Sequence, residues 1–168
     1  MAHILIDGYN LIGIAHADLE KARNDIIRSL AEYSSIKEHD ITIVFDGWKN
    51  GLKDQTRSRT GRVTVIFTRL GDTADMVIRK MLASAEKPWI VVSSDREVYD
   101  FAAKKDFAAV TSDEFDNRLF RALRSGNADP VPDMDPDEDG SDPPARSGGN
   151  PNMLSKRQKK KLQALKKL

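Results

Sequence analysis

The chain has 168 residues, 27 Lys and Arg against 26 Asp and Glu, and no cysteine. That length holds one domain of ordinary size plus a tail, and the lack of cysteine excludes a disulfide framework, a thiolate zinc site and a cysteine nucleophile. The start MAHILID lacks the basic segment and apolar core of a signal peptide. No apolar stretch approaches the roughly 20 residues that span a bilayer, so a cytoplasmic protein with no membrane partner is expected.

Strand and helix patterns alternate up to about residue 125. The first strand, over 3–6, runs straight into Asp7 and the sequence Asp-Gly-Tyr-Asn-Leu. Residues 18–33 then place Leu19, Ala22, Ile26, Leu30 and Tyr33 at helical spacing. A second strand over 41–45 ends at Asp46 and Gly47. The connection 47–62 has no amphipathic pattern and reads as a basic loop carrying Lys49, Lys53, Arg57, Arg59 and Arg62. Following directly on Asp46, it is expected to lie beside the acidic edge and to hold a polyanion there, with Trp48 available to stack on a base.

A third strand over 63–68 leads to a helix over 73–85, for which Asp72 is the expected N-cap and Asp75 the acid of the first turn. A strand over 89–93 ends in Ser93, Ser94 and Asp95, followed by a helix over 96–104. A last strand over 108–110 precedes a helix that opens at Ser112 and runs to Leu123. Short strands that are apolar on both faces, alternating with amphipathic helices, predict a three-layer α/β/α sandwich with a mostly parallel sheet.

Beyond residue 126 the composition changes. Residues 127–151 are rich in Pro, Gly and Asp and cannot bury enough apolar surface to fold. The end is strongly basic, with Leu154, Leu162, Leu165 and Leu168 spaced for a marginal amphipathic helix. The expected division is a domain over 1–126 and a disordered acidic linker with a basic tip over 127–168, the tip suited to nucleic acid.

Four aspartates, Asp7, Asp46, Asp75 and Asp95, thus stand at strand exits or in the first turn of a helix. In a parallel α/β sheet those exits share one edge. Carboxylates gathered there repel one another unless a cation lies between them, and oxygen ligands of this kind suit a hard divalent ion. The chemistry that uses such a site is phosphodiester hydrolysis. Asn10 lies in the same loop as Asp7 and can orient a phosphate, a water or the carboxylate, while Ser93 and Ser94 offer hydroxyls to a phosphate. Other chemistries fit worse: there is no dinucleotide or P-loop glycine motif and no nucleophile elbow. His3, His16 and His39 have no ligand spacing, and Tyr9 stands where an aspartyl-phosphate enzyme carries its second aspartate.

The set I-L-I-D-G-Y-N-L-I, V-F-D-G, T-A-D and V-V-S-S-D, in this order and over about residues 2–123, resembles the YacP-type NYN domains of the PIN-like superfamily of metal-dependent ribonucleases. The resemblance implies a PIN-like Rossmannoid fold, Mg2+ or Mn2+ as cofactor, and endonucleolytic cleavage of RNA; a metal-activated water as nucleophile would leave a 5′-phosphate and a 3′-hydroxyl. It implies Asp7, Asp46, Asp75 and Asp95 as catalytic metal ligands with Asn10 as polar helper, and a possible link to ribosomes. Met76 departs from the family pattern, which often places a further acid directly after T-A-D. An RNA- or ribosome-binding module that keeps the fold without cutting is the competing expectation.

Overall fold

The computed structural model describes residues 1–13, 18–47, 53–125 and 155–168. His16, Trp48, Lys49 and the linker expected to be disordered lie outside them. The apolar runs form β1 (His3–Asp7), β2 (Asp40–Phe45), β4 (Val63–Phe67), β5 (Trp89–Val92) and β6 (Ala108–Val110), joined at one edge by β3 (Thr56–Thr60). The sheet order is β3-β4-β2-β1-β5-β6. Every neighbouring pair is parallel except β3 with β4, which form a hairpin. The helices are α1 (Gly8–Ile12), α2 (Leu19–Lys37), α3 (Ala74–Ala83), α4 (Arg96–Lys104), α5 (Ser112–Ser125) and α6 (Lys156–Lys167).

Period-two alternation along the strands divides the core into two halves. Ile4, Ile6, Ile41, Ile43, Phe45 and Val92 face α1, α2, α5 and α6. Leu5, Val44, Ile66, Val91 and Ala109 face α3 and α4. The expected three-layer sandwich is present, and each fully buried Leu, Ile or Val contributes about 1.5–3 kcal/mol.

Two segments differ from the expectations. The connection read as a basic loop contains a strand, β3, whose five residues TRSRT are all exposed. It has no apolar face to reveal it; the ladder to β4 alone makes it a strand, with Arg57 opposite Ile66 and Arg59 opposite Thr64. Charged side chains on such an edge discourage pairing with a second chain.

The second difference is the basic tip. It forms α6, as its leucine spacing suggested, but it packs on the domain and is not part of a free tail. Ala164 and Leu168 are buried in the larger core half, and Leu165 packs against it. The Tyr33 hydroxyl donates to the Leu168 carbonyl at 2.7 Å. His39, also buried, accepts from the Ala2 amide through Nδ1 at 3.3 Å, which leaves Nε2–H to donate to the Lys167 carbonyl at 2.8 Å. Ion pairs add to this: Lys156 and Lys160 with Asp106, Arg157 with Asp100, and Lys161 with Glu114. A run of lysines hides the narrow apolar stripe by which α6 packs on the core. Four of the seven bases in this helix already face domain acids, so the charge it offers to a polyanion is smaller than its composition implies.

Deleting residues 155–168 removes the buried Leu168 and leaves the Tyr33 hydroxyl and His39 Nε2 without their carbonyl acceptors. A loss of roughly 3–5 kcal/mol is expected, measurable as a lower urea midpoint. Stability unchanged by the deletion would mean that α6 does not dock in solution.

Candidate functional site

Register brings the acidic positions together. Asp7 is aligned with Val44 and Ile6 with Val92. Leu5, Val44 and Val91 all face the α3–α4 layer, so Asp7, Asp46 and Ser93, each two residues further on, end their strands on that same face. Helices α3 and α4 start from this layer, bringing Asp75 and Asp95. The chain leaves β1 for β2 on one side and later returns to β5 on the other. The carboxyl ends of β1 and β5 therefore flank the topological switch point, where open α/β sheets bind ligands.

The glycine after each strand-ending aspartate is fixed by close approach. A Cβ on Gly8 would lie 2.4 Å from the Phe45 ring, and one on Gly47 only 1.5 Å from the Thr68 carbonyl oxygen. The Gly47 amide donates to Thr68 Oγ1 at 2.9 Å. Both Asp-Gly pairs thus let the chain turn tightly across its neighbours while presenting the carboxylate.

Asp7 is the buried member, 9 % exposed. Its carboxylate accepts from the Asn10 amide and from Ser93 Oγ, each at 3.4 Å. Burial pushes its pKa up to about 6; the charges of Asp46 and Asp95 push the same way, while the two hydrogen bonds oppose. Asp46 accepts from the Ala74 amide at 2.6 Å, tying the exit of β2 to the first turn of α3. Asp95 caps α4, accepting from the Glu97 and Val98 amides at 2.8 and 3.3 Å. Asp75 accepts from Arg79 Nε at 2.9 Å, and Arg79 also donates to Glu97 at 2.6 Å. Desolvation raises the Asp75 pKa against the pull of Arg79, with Asp95 and Glu97 adding to the rise.

Asn10 joins three strand exits. Its Oδ1 accepts from the Ser94 amide and from Ser112 Oγ, both at 2.6 Å. The carbonyl end is therefore occupied, and the Nδ2 protons are what Asn10 can offer a substrate. Ser93, expected to meet phosphate, is 1 % exposed. It donates to Asp7 and accepts from the Asp95 amide at 3.1 Å, so it positions carboxylates from below. Ser94 is exposed, and its Oγ accepts from the Ser112 amide at 3.0 Å.

Asp72 is not the cap of α3. Thr73 holds that place, its Oγ1 accepting from the Met76 amide at 3.2 Å, while Asp72 pairs with Arg69 at 2.8 Å. Both residue types cap helices well, and spacing alone does not separate neighbours. The basic residues of the 47–62 connection also divide. Thr56 is level with Phe67 at the acidic end of the sheet and Thr60 with Val63 at the opposite end, so Lys53 and Arg57 lie toward the carboxylates. Arg59 donates to the Gly61 carbonyl in the far turn, and Arg62 pairs with Asp40 at the start of β2. These two face away from the site because the hairpin reverses the chain. Arg79 and Glu97 were not anticipated, although Arg79 stands four residues after Asp75, a readable helical pairing. Ser112 carried no local signal; the fold alone brings it to Asn10.

Among the described residues, no three Asp, Glu or His side chains are close enough to enclose one ion as they stand. The donor set is nevertheless all oxygen, and Asp7 is a desolvated carboxylate repelled by two others, a charge state a cation relieves. Mg2+ is commonly held by one or two carboxylates with its remaining positions filled by water and substrate phosphate, and the residues fit that mode.

A mostly parallel α/β/α sandwich with aspartates at its switch point is the form expected of a PIN-like, nuclease-type domain. The family model of the YacP-like NYN domain matches residues 4–167, and the chain belongs to that family. The match runs through α6. The chain is 38% identical over 87 residues to the uncharacterized protein YacP of Bacillus subtilis (strain 168), covering 46% of this chain and 49% of that one; it thus spans about half the length of this curated relative. A crystal structure of a mutant of Rae1 (YacP) from Bacillus subtilis is similar, with a TM-score of 0.60 and 27% identity over 74% of this chain and 79% of that one. A second crystal structure of Rae1 (YacP) gives 0.58 and 26% over 74% and 77%.

With a folded pKa of about 6 against an ordinary 3.8, Asp7 binds its proton more tightly in the folded chain. The fold therefore loses stability as pH rises from about 4 to 6 and carries the whole deficit, about 3 kcal/mol, above that. Asp7→Asn is expected to recover roughly 1–3 kcal/mol at pH 7 in metal-free buffer and to flatten that part of the urea-stability profile. A destabilised variant would show that the carboxylate supports the fold. Separately, Thr73→Ala should cost about 0.5–2 kcal/mol as a lost cap, and Asp72→Ala, which removes a partly exposed ion pair, under about 1 kcal/mol; denaturation curves of the two variants rank them.

Proposed function

We propose that this chain is a metal-dependent endoribonuclease that hydrolyses RNA phosphodiester bonds at the switch-point carboxylates. The observation that carries the reading is Asp7, a carboxylate buried beside two others at the ligand-binding edge of a YacP-like NYN fold. Carboxylates kept near one another against their own repulsion mark functional sites more often than structural ones. Asp7, Asp46, Asp75 and Asp95 would hold Mg2+ or Mn2+, which when bound supplies Lewis-acid polarisation of the scissile phosphate and a more acidic water. The protein's own groups do the rest. Asn10 Nδ2 would orient a phosphate oxygen, Ser93 fixes Asp7, and Lys53, Arg57 and Ser94 would meet the approaching strand. Among the described residues, no histidine or lysine pairs with these carboxylates, so the carboxylates themselves would orient the attacking water.

The competing reading, an RNA- or ribosome-binding module without turnover, draws on a specific feature. Asp46 and Asp95 already accept backbone amides, and Asp75 is paired with Arg79. Purified chain incubated with cellular RNA in Mg2+, Mn2+ or EDTA separates the two. Cleavage dependent on the ion, with 5′-phosphate and 3′-hydroxyl ends and a loss of at least about a hundredfold in Asp7→Asn, is the expected outcome. RNA bound but uncut under every ion, or cleavage unaffected by Asp7→Asn, overturns the nuclease reading.

A further inference from the structure

The groove between edge strand β3 and helix α3 lies outside the carboxylate site. It encloses about 440 Å3, a size that takes a nucleotide. Ile66, Val77 and Met81 supply an apolar floor, and Met76, 55 % exposed, stands among them. Arg57, Arg69 and Lys80 bring three cations to the lining, beside the polar Gln55 and Ser84. Asp72, also in the lining, holds Arg69 at 2.8 Å. Arg57 and Lys80 have no ion-pair partner among the described residues, so the groove keeps two uncompensated cations beside apolar surface.

Helical spacing fixes where the groove lies relative to the carboxylates. Met76 and Lys80, four residues apart, share the stripe of α3 that lines it. Asp75 and Arg79 share the neighbouring stripe, turned toward Glu97 of α4. Arg57 is one residue from the end of β3 that lies level with Phe67, the same end of the sheet as Asp7 and Asp46. A strand with one phosphate at the carboxylates can pass its next residue over the first turn of α3 and into the groove.

We propose that this groove receives the nucleobase adjoining the scissile phosphate of a single-stranded RNA, with the base packed on Met76, Val77 and Met81 and its flanking phosphate neutralised by Arg57 and Lys80. The proposal rests on the nuclease reading for the position of the scissile phosphate; the binding chemistry stands on the groove. A base joins a flat apolar face to an anion one sugar away, which is the pairing the lining presents. A thioether packs well against an aromatic ring, and a floor of aliphatic side chains discriminates little between bases, as in strand-binding grooves that rely on stacking.

The test reads binding in EDTA, so that cleavage plays no part. Full-length chain is titrated with a short labelled oligoadenylate and with an abasic oligomer of the same length, across a range of salt. Met76→Ala is expected to weaken the oligoadenylate by about 3- to 10-fold and to leave the abasic oligomer unchanged. The double variant Arg57→Ala/Lys80→Ala is expected to weaken both ligands and to flatten the log–log salt slope by about one to two units. All three side chains lie at the rim, and urea denaturation checks that the variants fold. Equal affinity of Met76→Ala and the parent chain for oligoadenylate, or equal losses on both oligomers, overturns the proposal. So does a parent chain that binds neither. Absence of ion-dependent cleavage would sink the nuclease reading alone, because the binding contrast between base and abasic ligand is read without it.

Discussion

The carboxylate of Asp7 is taken out of water within range of the charges of Asp46 and Asp95, and the surrounding features serve to hold it there. Ser93 and the Asn10 amide donate to it; the first turns of α3 and α4 receive the other two carboxylates. Helix N-termini carry partial positive charge and unpaired amides, so each acid that approaches Asp7 is partly compensated by the helix it begins. The three-layer architecture follows the same requirement, since only helices returning over one face of the sheet can bring such N-termini to the strand exits.

This arrangement gives the aspartates proposed to hold the metal structural duties as well. Asp95 stabilises α4 as a cap, Asp46 ties β2 to α3, and Asp7 begins α1. A substitution at Asp95 or Asp46 therefore mixes a lost hydrogen bond with any lost ligand. At Asp7, by contrast, the two effects have opposite sign, because neutralising the buried charge relieves repulsion while removing the most desolvated oxygen of the site.

Legibility in the sequence followed apolar pattern. The five apolar strands and the helices after them were readable because burial on both faces demands branched side chains in short runs, and the acidic exits followed from a parallel sheet. Strand β3 was not, because TRSRT has no buried face and owes its conformation to its partner. Residues 8–12 read as a loop, yet Asp7 caps them into a short helix. Thr73 and Asp72 compete as caps one residue apart, a difference set by backbone angles that spacing does not encode. Ser93 sits where its neighbours predicted, but only the fold shows it underneath Asp7. The docking of α6 was hidden by its lysines; Ala164, Leu165 and Leu168 are a thin stripe in a basic helix.

One imidazole joins the two ends of the described chain. His39 accepts a hydrogen bond from the Ala2 amide and donates one to the Lys167 carbonyl, contacts separated by 37 and 128 residues, while Tyr33 reaches Leu168 across 135. Such long sequence separations are entropically late to close. All six strands and the first five helices precede α6 in the chain. Helix α6 therefore rests on a sheet whose strands all come before it, and fraying at Ala2 or at Lys167 removes one of the two hydrogen bonds that fix the His39 ring.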